Sequence, residues 1–122
     1  VLFRSNPQFL KGPLDLYCRK LSQHASVIVH FSGGNPVGMI AYYCNNIQRG
    51  SIYITSIIVE PEVRKSGIGR NLLSSALQHG RSLGFRYCDL EVADTNLDAI
   101  QFYLNLGFVW LDKQAGLMRC PL

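Results

Sequence analysis

Residues 59–73 read V-E-P-E-V-R-K-S-G-I-G-R-N-L-L. An apolar, β-branched run at 51–59 stops at Pro61, and helical spacing of apolar residues begins just beyond Gly67. Between the two, Arg64, Lys65 and Arg70 surround Gly67 and Gly69. A strand, a glycine turn and a helix together form a geometry that holds an anion. The first N–H groups of a helix lack internal partners, and the helix dipole adds partial positive charge there. Glycine lets the backbone approach the ligand. Ser66 adds a hydroxyl that can cap the helix or donate. The same glycines also suit an ordinary turn with no ligand, and a lone G-x-G does not separate the two. The G-x-x-x-x-G-K-[ST] pattern is absent, and Gly67-Ile68-Gly69 runs on to Arg70-Asn71-Leu72 without a third glycine. A nucleoside triphosphate and a dinucleotide are both poor fits.

Working outward, Leu72, Leu73, Ala76, Leu77 and Leu83 predict a helix over 68–83, stopped by Gly84. Strands are predicted at 26–31 and 36–43, joined at Ser32-Gly33-Gly34-Asn35, and at 51–59 after a turn at Asn45, Asn46 and Gly50. A further strand is predicted at 87–93. Thr95 or Asp94 can cap a helix that reaches about Leu106 and ends at Gly107. A last hairpin, 108–111 with 117–120, turns around 113–116. Pro13 and the spacing of Leu14, Leu16, Tyr17 and Leu21 predict one helix at 13–24. The strands at 51–59 and 87–93, joined by a helix, require a right-handed crossover if they are parallel neighbours. The order is α, β-β-β, α, β, α, β-β: a mixed α/β (α+β) fold, 1–122 as one domain.

Composition narrows the classes. In 122 residues, 48% are hydrophobic and 16% charged, enough for a packed core and too little charge for a disordered chain. No apolar run approaches the roughly 20 residues that span a bilayer. The net charge of +4 suits an anionic partner. Its densest cluster lies around the glycines, which favours a small local anion over nucleic acid. Cys18, Cys44, Cys88 and Cys120 form no C-x-x-C pair, and no histidine stands at metal-ligand spacing, so no metal site is expected. They read as small buried hydrophobes in a reducing cytoplasm. His24, His30 and His79 show no partner pattern.

Residues 96–108 read N-L-D-A-I-Q-F-Y-L-N-L-G-F. With 59–73 they resemble the GNAT N-acetyltransferase family. Arg64, Gly67 and Gly69 match its central motif, an Arg or Gln with a Gly three on and a Gly or Ala two further. Asn96, Ala99, Phe102-Tyr103 and Gly107-Phe108 match its later motif, and L-E-V at 90–92 fits between. The resemblance covers roughly 26–111 in element order. It implies a mostly antiparallel sheet of about six strands with helices on both faces, here lacking the first strand. An edge left open in that way invites a partner chain, so a homodimer is allowed.

The function implied is an N-acetyltransferase that moves an acetyl group from acetyl-CoA directly to a primary amine of a small molecule or peptide. The resemblance puts the pyrophosphate of coenzyme A on Ser66, Gly67, Ile68, Gly69 and Arg70, with Arg64 and Lys65 at the loop's edge. The pantetheine arm then lies along the backbone of Ile57, Ile58 and Val59. Asn96 is either a pantetheine ligand or a helix cap. Tyr103 matches the family's acid that protonates the departing thiolate; it is otherwise a core aromatic. A strand N–H near Ile58 or Val59 would meet the developing oxyanion. Glu91 resembles a base carboxylate and faces either the acceptor cleft or solvent. Glu60, Tyr53 and water are the alternatives. The competing reading is a non-catalytic acyl-CoA-binding module. Neither a nucleic acid nor a membrane is expected as a partner.

Overall fold

The computed structural model describes residues 25–45, 47–64 and 66–122. The helix expected at 13–24, any strand before it, Cys18, His24 and Lys65 lie outside the described residues. The elements are β1 Ser26–Ser32, β2 Asn35–Tyr43, β3 Ser51–Val59, α1 Ile68–Ser82, β4 Tyr87–Glu91, α2 Leu97–Asn105, β5 Val109–Asp112 and β6 Leu117–Pro121. One-turn 3-10 helices, Ile47–Arg49 and Pro61–Val63, precede and follow β3.

Glycine closes both helices in the same way. At Gly84 (φ +92°) the Phe85 amide reaches the Gly80 carbonyl (3.0 Å), and at Gly107 (φ +99°) the Phe108 amide reaches the Tyr103 carbonyl (3.0 Å). This is the Schellman arrangement, which needs a left-handed residue. The cap of α2 differs from expectation. Asn96, not Thr95 or Asp94, holds that position, its Oδ1 accepting from the Ala99 amide at 3.3 Å. β4 likewise stops at Glu91 rather than at residue 93.

The six strands form one sheet in the order β1-β2-β3-β4-β6-β5. Every pair is antiparallel except β3 with β4, which α1 connects. Ile52 and Ile54 of β3 sit opposite Cys88 and Leu90 of β4, which in turn face Cys120 and Met118 of β6. These residues share one surface of the sheet, and the core forms there with Leu72, Leu73 and Ala76 of α1 and Ala99 and Tyr103 of α2. Both described helices therefore cover the same face. Helices were expected on both faces, and the helix expected at 13–24 lies outside the described residues. On that opposite face lie Tyr53, Asp89, Glu91 and Arg119, where Arg119 grips Asp89 through Nε–Oδ1 (2.8 Å) and Nη2–Oδ2 (2.9 Å).

A bulge sets the phase of β3. Ala41 pairs with Ser56, but Tyr42 pairs with Ile54, so Thr55 is an extra residue. The interruption sends Ile57 and Val59, rather than Ser56 and Ile58, to the helical face. His79 showed no partner pattern in the sequence. Its Nδ1 instead meets the Tyr42 hydroxyl at 2.7 Å from α1. Burial pushes the Tyr42 phenol up to about 12. Among the described residues no helix is long and apolar enough to cross a membrane, and no group of three or more His, Cys, Asp or Glu could hold a metal.

The sheet and α1 approach closely at Gly38. A Cβ there would stand 3.0 Å from Ile68 Cγ2, 3.2 Å from Leu72 Cδ1 and 3.3 Å from the Ile58 carbonyl. Gly38→Val is expected to cost about 1–3 kcal/mol through overpacking, read as a lower midpoint in urea unfolding. An unchanged midpoint would refute the close approach.

Candidate functional site

The β3–β4 ladder ends at Ile54 and Leu90, while β3 runs on to Val59. Above that point the two strands part, and among the described residues only β2 pairs with β3. The Glu60 amide donates to the Val37 carbonyl at 2.8 Å, which fixes the phase of the β2–β3 ladder. Backbone groups alternate sides along a strand. Glu60 and Ile58 thus turn toward β2, and Ile57 and Val59 turn toward the gap. Of the three residues expected to line it with backbone, Ile58 does not: its polar groups serve the ladder and its side chain lies on the far face.

The loop beyond β3 folds back on the strand. Arg64 Nε donates to the Val59 carbonyl at 3.1 Å, and its own amide bonds the Pro61 carbonyl. The exposed Ser66 hydroxyl donates to the Val63 carbonyl and does not cap α1. Gly67 holds the cap position at φ +88° with no side-chain cap. The first α1 bond runs from the Asn71 amide to the Gly67 carbonyl (2.9 Å). The preceding amides of the first turn have no intrahelical acceptor. They border a cavity of about 380 Å³.

Gly67, Ile68, Gly69, Arg70, Arg64, Val59 and Val63 form one side of this cavity, and Asp98 and Phe102 of α2 form the other. One wall thus offers amides and guanidinium groups, and the other an aromatic ring and the Asp98 carboxyl group. That combination suits a ligand with a phosphate at one end and a thin, mostly apolar arm. The last three of the lining residues to be noted, Val63, Asp98 and Phe102, were missed as site residues. The spacing of 98 and 102, one turn apart on α2, was the available signal.

Tyr103 is fully buried, its ring 5.4 Å from Phe102 and 5.5 Å from Phe108 between centroids. Burial holds its phenol far above the ordinary value of 10.0, so it stays protonated. It belongs to the core behind the cavity wall, on the same side of the sheet. Glu91 is exposed on the opposite face at the end of β4. Burial, then the Glu91 charge and a hydrogen bond to Glu91, lift the Tyr53 phenol above its ordinary value. Two of the candidate bases therefore meet beside the parting. Glu60 is buried, 2% exposed, at the far end of β3.

Comparison with known proteins adds to this geometry. The profile described as the Acetyltransferase (GNAT) family matches residues 2–108. An uncharacterized N-acetyltransferase of Methanocaldococcus jannaschii is 37% identical over 90 residues, 70% of this chain and 40% of that protein. A thialysine N-epsilon-acetyltransferase of Caenorhabditis elegans is 28% identical over 90 residues, 72% of this chain and 56% of that protein. The chain thus spans less than two thirds of the length of either curated relative. Among solved structures, the PaiA N-acetyltransferase of Thermoplasma acidophilum in complex with coenzyme A superposes with a TM-score of 0.75 at 21% identity, covering 90% of this chain and 69% of that one. The ribosomal-protein-S18-alanine N-acetyltransferase of Escherichia coli gives 0.70 at 18%, covering 88% and 75%. Both likenesses concern the fold.

The tie from Arg64 to Val59 makes a testable demand. Arg64→Ala is expected to lower stability to urea by about 1–2 kcal/mol, the scale of a hydrogen bond from a charged donor. Loss of a purely solvent-facing charge would leave stability within about 0.5 kcal/mol, and that result would contradict the tie.

Proposed function

The chain belongs to the GNAT acetyltransferase family, and from that premise we propose that it transfers an acetyl group from acetyl-CoA to a primary amine of a small molecule or peptide. The parting of β3 from β4, with the α1 amides beside it, is the observation that carries this reading. The residues present fit the coenzyme. The amides at Ser66–Arg70 and the Arg70 guanidinium would hold its pyrophosphate, with Lys65 as a further cation. Ile57 and Val59 offer backbone groups to the pantetheine amides, and the Nδ2 group of Asn96 remains for the same arm. When bound, the coenzyme supplies the acetyl group as a thioester.

The chain's own residues then have distinct tasks. The amides turned into the gap from β3 can donate where negative charge develops on the acyl oxygen. Tyr103, held protonated by burial, is the proton donor on the helical side. Glu91, beside Tyr53 on the opposite face, is the acceptor-side base. A homodimer through an outer strand of the sheet, and a reducing cytoplasm that suits the free Cys44, Cys88 and Cys120, belong to the same reading. One observation favours the alternative of a non-catalytic acyl-CoA-binding module: Tyr103 sits behind the cavity wall rather than on it.

Two variants separate these readings. Gly69→Val should keep the circular-dichroism spectrum and lose most affinity for coenzyme A, because bulk at the first turn blocks backbone approach. Calorimetry showing undiminished binding would overturn the cradle. Tyr103→Phe should bind coenzyme A normally and transfer acetyl about 100-fold more slowly. Because the phenol stays protonated, Tyr103 should impose no loss of rate between neutral pH and about pH 10. On the acid side the rate should fall as the acceptor amine gains its proton. Full activity in Tyr103→Phe would remove it as the acid and leave the cradle standing.

A further inference from the structure

Thr55 is the residue that the bulge adds to β3. It lies on the face away from α1 and α2, the face of Tyr53 and Glu91. Thr55 follows Ile54, and Glu91 follows Leu90, the last pair of the β3–β4 ladder. That is where the strands part. Its Oγ1 is buried and finds no hydrogen-bond partner among the described residues. A buried hydroxyl without a partner lowers stability. Valine has the same branched shape and suits a strand at least as well. The chain therefore keeps a polar atom where an apolar one would be more stable, and such departures mark sites where a ligand completes the bonding.

We propose that the Thr55 hydroxyl positions the acceptor amine, Oγ1 accepting one N–H of the neutral amine at the parting, from the face opposite the cofactor cavity. The inference rests on the acetyl-transfer reading above and names what that site selects. A neutral acceptor atom suits the task. A carboxylate in direct contact would favour the ammonium form, which cannot attack, whereas a hydroxyl orients the nitrogen without holding its proton. The ammonium's proton passes to Glu91 or water. Of the two N–H groups on the resulting neutral amine, one bonds Thr55 and stays in the amide product. The other leaves as a proton to solvent water when nitrogen bonds the acyl carbon, and the carbon–sulfur bond breaks with its electron pair going to sulfur as the thiolate. A secondary amine has a single N–H, which must leave, so it cannot keep the Thr55 bond. The site is thereby selective for primary amines.

The test compares the chain with Thr55→Val and Thr55→Ser, using amines active on the parent and their N-methyl counterparts. Thr55→Val should unfold at a higher temperature, bind coenzyme A as the parent does by calorimetry, and transfer acetyl to primary amines about tenfold more slowly. It should also lose the preference for primary over N-methyl amines, and Thr55→Ser should retain both rate and preference. An active parent with an equally active and equally selective Thr55→Val variant overturns the assignment alone. So does a variant that slows while unfolding earlier and binding coenzyme A more weakly, which marks a structural role. A parent that binds coenzyme A yet acetylates no amine overturns the transfer reading, and this assignment with it.

Discussion

The rest of the site depends on the loss of pairing between β3 and β4 above Ile54 and Leu90. Two parallel strands ordinarily satisfy each other's backbone along their length. Here β3 continues to Val59 with one side of its backbone turned into a gap. An unpaired strand edge inside a sheet is costly unless something bonds to it. Arg64 meets that demand in part at the Val59 carbonyl. In the proposed reading, the remaining groups would bond the amides of the pantetheine arm.

The bulge at Thr55 and the parting sit at the same height on β3, and their coincidence divides the site into two sides. Below them, Tyr53 faces away from the helices and Ile52 and Ile54 face the core. Above them, Ile57 and Val59 keep facing the core although the residue count has shifted by one. The core face is sealed by α1 and α2, with Tyr103 inside it. The opposite face carries Tyr53, Thr55, Glu91, Asp89 and Arg119. A cofactor entering from the helix side and an acceptor from the polar side would meet only at the parting.

Much of this was legible in the chain. Strand and helix positions followed from apolar periodicity, and Gly84 and Gly107 marked helix ends because few other residues adopt a positive φ there. The glycine turn between β3 and α1 was legible too, with Gly67 at a positive φ where the helix begins. Other features were not legible. Tyr42 and His79 are 37 residues apart and meet only because α1 lies across β2. Asp98 and Phe102 border the cavity because α2 packs on the same face as α1. Asn96, read as either a pantetheine ligand or a cap, does cap α2, while Thr95 and Asp94 do not hold that position.

Local sequence determined the conformations that depend on neighbours along the chain: helical turns, strand runs, glycine stops and the glycine turn that opens α1. It could not decide which backbone groups of β3 face the gap. That choice turns on the partner strand, since the Glu60–Val37 bond commits Ile58 to β2 and leaves Ile57 and Val59 to the opening. Nor could it show that Thr55 breaks the alternation, because a bulge is defined by the residue across from it. Tertiary structure alone fixed which side of the sheet each polar group occupies. The physical reason is that side-chain direction in a strand has a period of two, so one inserted residue reassigns every face beyond it.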